Sequence, residues 1–279
     1  KRKYYTMAGQ KVAVPKGMRD FSPLEVRKRK YLLNIIEAAF RRFGYEALET
    51  PAMENLSTLT GKYGDEGDKL LFRVLNSGDY LKGIELDKIG EMRPEVLAKQ
   101  LCDRGMRYDL TVPFARYVAN NWGELPHPFK RYQIQKVWRG ERPQEGRARE
   151  FTQADIDVVG DGELPFRYDV TLALVVVDAL SKLPIPEFKL RVNNRKLAEG
   201  FYLGLGLTDT AAVLRSIDKL EKIGAERVAE DLQAEAGASA DAAAAALELA
   251  QIRTEDASFV EQVRALAAKY SVEHELLDQ

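Results

Sequence analysis

The stretch Trp138-Arg139-Gly140-Glu141, followed by Arg142, Arg147 and Arg149, concentrates guanidinium groups around one short loop. Arginine dominates it rather than lysine, and the planar guanidinium fork grips phosphate oxygens two at a time. Pro143 and Gly146 keep the loop ordered yet able to lie close to a ligand. Downstream, Phe151, Gln153, Asp155 and Asp157 alternate with Thr152, Ala154, Ile156 and Val158. Alternate residues of a strand share a face, so the first set puts an amide and two carboxylates on the surface the arginines shelter. The second set is expected to bury against helices. A solvated charged hairpin is the plainer alternative, but it does not explain polar groups where a core is expected. Burying an uncompensated carboxylate is costly, so a partner is implied. That partner is an internal arginine or a cationic ligand, and the sequence leaves the two even.

These side chains need a frame. Ser22-Pro23-Leu24-Glu25 predicts a helix start, with a serine cap, a proline in the first turn and a glutamate closing a capping box. Leu24, Tyr31, Leu32, Ile35, Ile36, Ala39, Phe40 and Phe43 then recur at helical spacing until Gly44. Tyr45 to Thr50 alternates as a strand, and Pro51 stops it. Phe129 to Arg139 and Arg149 to Val159 are extended runs around a turn-rich loop, which predicts an antiparallel hairpin. An apolar helix follows over Tyr168 to Leu183, and Phe188 to Val192 reads as a further strand. From about residue 195 the chain turns Ala-rich and almost free of aromatics. This predicts a small helical domain, with the run Ala242 to Ala246 on a surface helix.

Composition narrows the chemistry. The 279 residues are 45% hydrophobic and 30% charged, enough for one large folded domain and a smaller one. Lys and Arg (42) balance Asp and Glu (43), so any polyanion site must come from local clustering. A single cysteine, Cys102, excludes an internal disulfide framework and a thiolate zinc site. His127 and His274 stand in no metal-ligand spacing, which disfavours zinc enzymes and hydrolases built on histidine. Lys1-Arg2-Lys3-Tyr4-Tyr5 precedes no apolar run of a leader. No segment reaches the roughly 18 apolar residues that span a bilayer. A cytoplasmic protein without a membrane partner is therefore expected. The glycine patterns of dinucleotide-binding and P-loop proteins are missing.

The run from Arg139 through Gly146 to Arg149-Glu150-Phe151-Thr152-Gln153 closely resembles motif 2 of class II aminoacyl-tRNA synthetases in its histidyl form. Gly44-Tyr45 through Thr50-Pro51-Ala52-Met53-Glu54 resembles motif 1, the dimer-forming helix and strand. Arg107-Tyr108-Asp109-Leu110-Thr111 to Tyr117 resembles the histidine-pocket segment, and Pro15-Lys16-Gly17-Met18-Arg19-Asp20-Phe21 the opening motif of the same enzymes. The likeness covers nearly the whole chain, from about residue 11 onward, with the motifs in order.

The resemblance implies an α+β fold, a class II synthetase-type antiparallel sheet flanked by helices with a small helical insertion domain. Residues 1–194 would be the catalytic core and 195–279 the insertion. The second histidine motif, motif 3 and the anticodon-binding domain of these enzymes are not in the sequence. The implied protein is thus an incomplete part of a ligase, weakly active or inactive alone. That ligase activates L-histidine with ATP and Mg2+ and transfers it to tRNA(His). Arg139 would be the catalytic group, holding the ATP α-phosphate and the substrate carboxylate. Asp109, Thr111 and Gln153 would take the α-ammonium of histidine, Asp157 its imidazole, and Glu141 and Arg147 would position ATP. No protein ligand to a metal is implied. Motif 1 implies a homodimer. The rival is a non-catalytic paralogue similar to the regulatory subunit of ATP phosphoribosyltransferase, disfavoured by the intact Arg139, Glu141, Gln153 and Asp109 set.

Overall fold

Ser22 begins the first helix as its sequence predicts. Its hydroxyl accepts from Glu25 N, and the Glu25 carboxylate accepts from Ser22 N at 2.8 Å, so both donors of the capping box are satisfied. The computed structural model describes residues 13–60 and 70–275. The segment Lys1-Arg2-Lys3-Tyr4-Tyr5, read above as lacking a leader, lies outside them. The chain divides into two compact units, Lys1–Phe188 and Lys189–Gln279.

In the first unit helix α1 spans Pro23–Arg42. Strand β1, Glu46–Ala47, runs parallel to β5, Phe129–Trp138, and β5 pairs antiparallel with β6, Glu150–Val159. The sheet is therefore mixed rather than purely antiparallel, although the α+β class holds. Between β1 and β5 lies a second small sheet, absent from the sequence reading. It is built from β2 (Met53–Asn55), β3 (Phe72–Val74) and β4 (Arg104–Met106) in the order β2-β4-β3. Helices α2 (Leu56–Thr60), α3 (Pro94–Leu101) and α4 (Thr111–Asn121) accompany it. Helix α5, Arg167–Leu180, ends before the expected Leu183.

One face of the long hairpin is apolar and packs on helices. Phe40 and Ile36 of α1 and Val175 and Leu172 of α5 meet Tyr132 and Ile134 of β5 and Ile156 and Val158 of β6. Arg42 reaches Asp178 at 2.6 Å and joins the two helices. The expected burial of this face holds for Ile156 and Val158. Thr152 instead accepts from Arg29 at 3.0 Å, and Ala154 is exposed. A methyl group loses little by facing water, so Ala154 is a cheap place for the helix cover to end.

The second unit holds α6 (Arg195–Gly204), α7 (Thr210–Ile217), α8 (Leu220–Ile223), α9 (Ala225–Ala236), α10 (Ala240–Gln251) and α11 (Phe259–Lys269). The alanine run is not a surface helix: Ala243, Ala245 and Ala246 are at most 1% exposed and sit in the core with Phe201, Val213, Val228 and Leu232. Side chains this small let helices approach closely, which explains their burial. Gly204 serves the same end, since a Cβ there would lie 2.5 Å from Val272. The strand expected over Phe188 to Val192 is absent; that segment forms no regular element and pairs in no sheet. Lys189 pairs instead with Glu255 and Arg191 with Glu221 within this unit. The unit accordingly starts before the composition change near 195.

Candidate functional site

The other face of the hairpin is polar. Ladder register puts Arg131 opposite Asp157, Gln133 opposite Asp155, Gln135 opposite Gln153 and Val137 opposite Phe151. By the period-two rule these residues share one face. Arg139 follows directly, its backbone N–H donating to Arg149 O at 2.9 Å. The Arg139 guanidinium lies 5.1 Å from the Phe151 ring centre, a cation–π arrangement that turns it along this face. Its Nε donates to Tyr108 O at 3.0 Å, and no described residue takes its Nη atoms.

Gln153 is oriented by its neighbour. Its amide nitrogen donates to both oxygens of Asp155, at 3.1 and 3.2 Å, while its carbonyl oxygen is buried with no partner among the described residues. Asp157 is in ion-pair contact with Arg131, which also stands 3.9 Å from Asp155. Of the two partners the sequence left open, the internal arginine is therefore present. Burial pushes the Asp157 carboxyl above its ordinary range; Arg131 pulls it back, while Asp155 and Asp109 push it further up. Arg131 is fully buried, which depresses its own pKa against the pull of Asp157, Asp155 and Asp109.

The segment before α4 closes over this face. Arg131 lies 4.4 Å from the Phe114 ring centre, and its Nη2 reaches Leu110 O at 3.5 Å. Asp109 accepts from Val112 N at 3.1 Å and so caps the first turn of α4, where Thr111 stands. Arg107, nearly buried, locks the assembly. It donates to Thr50 O, Pro51 O, Gln135 Oε1 and Lys136 O. A cavity of about 380 Å³ lies beside this support, lined by Glu49, Thr50, Pro51, Glu54 and Arg116. Thr50 and Pro51 are common to both, and the cavity lacks the groups that carry the chemistry.

Arg139, Gln153 and Asp157 are thus on one face, with Asp109 in electrostatic reach of Asp157. Glu141 and Arg147 are not on it. They occupy the exposed loop beyond the strand ends and face each other at 3.9 Å. The opening segment backs the hairpin end, with Arg149 N donating to Gly17 O at 2.8 Å. Sequence reasoning missed Arg131, Gln133, Gln135 and Arg107. The alternation applied to β6 would have found the first three on β5. Among the described residues no group of three His, Cys, Asp or Glu could hold a metal ion.

The chain is similar to known proteins along most of its length. A family model described as histidyl-tRNA synthetase matches residues 101–279. A histidine–tRNA ligase of Micrococcus luteus is 54% identical over 94% of this chain and 55% of its own length. One from Phocaeicola vulgatus is 50% identical over 80% of this chain and 48% of its own. The chain spans about half the length of these curated relatives. The crystal structure of histidyl-tRNA synthetase from Nostoc sp. PCC 7120 superposes with a TM-score of 0.78 at 28% identity, over 96% of this chain and 55% of that one. With residues 101–279, and the polar hairpin among them, matched by that model, the chain belongs to the histidyl-tRNA synthetase family.

Proposed function

We propose that this chain carries the amino-acid-activating part of a histidine–tRNA ligase, which joins L-histidine to ATP as histidyl-adenylate and passes it to tRNA(His). The observation that carries the reading is the unpaired, buried carbonyl oxygen of Gln153. Asp155 fixes the amide so that this acceptor faces away from it, which suits an ammonium group. Arg139 on one side offers its Nη atoms to a carboxylate and an α-phosphate, and Asp157 on the other offers an acceptor to the imidazole. Asp109 and Thr111 complete the ammonium site. When the histidine carboxylate attacks the α-phosphorus, charge grows on the phosphoryl oxygens. A guanidinium already fixed by Tyr108 O and Phe151 meets that charge with little reorganisation. Glu141 and Arg147 would reach the nucleotide from the loop.

Magnesium bound to the triphosphate would share this charge stabilisation with Arg139. A homodimer through α1 and a cytoplasmic location belong to the same proposal. Leu24 and Tyr31 of α1 are 54% and 57% exposed, an apolar stripe suited to a second copy. No helix among the described residues is long and apolar enough to cross a membrane. Histidine-dependent pyrophosphate exchange tests the reading. The expected result is slow exchange, well below that of a relative twice as long, abolished by Gln153→Ala. Exchange indifferent to that substitution contradicts it.

A further inference from the structure

The guanidinium of Arg131 has no task in the reaction proposed above, yet it is the largest fully buried side chain of the molecule's described part. Its Nη2 meets Asp157, while Nε and Nη1 have no hydrogen-bond partner among the described residues. A buried cation with unmatched donors is costly, and an apolar residue stacked on Phe114 would avoid that cost. The cost falls in a polar site, where a protein retains such a group for what it does to its neighbours. Those neighbours are carboxylates: Asp157 in contact, Asp155 at 3.9 Å and Asp109 within electrostatic reach.

We infer that Arg131 is a positioning residue for ring selection, fixing the Asp157 carboxylate, charged and aimed, so that it accepts the N–H of the ligand's imidazole. The inference rests on the reading that Asp157 meets that ring. The groups that face Asp157 are Arg131 on β5, Asp155 on β6, Asp109 ahead of α4 and Tyr45 ahead of β1. Arg131 is the one cation in this set. The two carboxylates among them, Asp155 and Asp109, favour protonation of Asp157, as does burial itself. A protonated Asp157 turns one oxygen into a donor and leaves a neutral carbonyl oxygen, a weaker acceptor for the ring N–H than a carboxylate oxygen. The Arg131 charge opposes that protonation, and its stacked, immobile fork fixes the direction in which Asp157 points.

Calorimetric titration of the 279-residue chain with L-histidine and, separately, with ATP tests this across about pH 5–8. Unsubstituted protein, Arg131→Met and Arg131→Lys are compared. Arg131→Met should weaken L-histidine by about tenfold or more and ATP by less than about twofold, because the site loses only a ring contact. The acid-side loss of histidine affinity should also move to higher pH. Arg131→Lys, which keeps the charge, should restore the position of that acid limb and part of the affinity. Unchanged histidine affinity, or an equal loss for both ligands with the acid limb in place, overturns the inference and leaves Arg131 a purely structural group. If Arg131→Met shows no cooperative melt, the lysine variant decides by the same histidine-against-ATP split. An unsubstituted chain that does not bind L-histidine overturns the reading of the site itself, and this inference with it.

Discussion

Gln153 and Asp157 hold the same kind of position on β6 and differ in what satisfies them. The Gln153 amide spends its donors on Asp155 and keeps its acceptor for something else, whereas Asp157 is bound to a guanidinium from the opposite strand. The consequence for Asp157 can be read in pH. Its folded-state pKa is raised, by burial first, so the native chain holds this proton more tightly than the unfolded chain does. Its contribution to stability is therefore fully present below the ordinary aspartate pKa of about 3.9. It is lost as pH rises through the raised value. Melting temperatures of unsubstituted protein and Asp157→Asn, taken from acid toward neutral pH, should diverge in that sense. The aspartate form loses ground to the asparagine form as pH rises. A difference running the other way would mean that Arg131 outweighs burial.

At the scale of elements the hairpin was legible because two long extended runs flank a loop of turn formers. The strands Phe129–Trp138 and Glu150–Val159 start and stop within about a residue of the expected limits. The capped helix α1 was legible for the same reason, a strong local signal at its start. The small sheet was not: β2, β3 and β4 have three residues each, too few to show any period. The alanine run misled, because composition carries helix propensity but not the side on which a neighbouring helix packs. Gly17 shows what local reading adds once contacts are known. It has φ +84°, and a Cβ would come within 3.1 Å of Pro143 and 2.9 Å of Arg149. Gly17→Ala should therefore cost about 1–2 kcal/mol and loosen the loop that carries Glu141 and Arg147. A thermal melt within error of the unsubstituted protein would show that the opening segment does not brace the hairpin.

Each of the two units has its own core, so damage to one should leave the other's chemistry in place. Leu232 is fully buried in the second unit. Leu232→Ala should cost that unit about 2–5 kcal/mol while leaving histidine affinity in the first unit unchanged. Parallel loss of both would contradict independent cores. The exposed stripe on α1 makes a prediction of its own: light scattering should report twice the 31.4 kDa chain mass, and Tyr31→Glu should halve it. A monomer in both cases would rule out α1 as the dimer face. The account as a whole depends on Arg139, Gln153 and Asp157 acting on one ligand. Calorimetric binding of a non-hydrolysable histidyl-adenylate analogue to the unsubstituted chain and to Arg139→Ala examines that dependence most directly. Binding to the first, weakened by about 2–4 kcal/mol in the second, is the predicted result. Equal affinity in the two, or no binding to either, contradicts it.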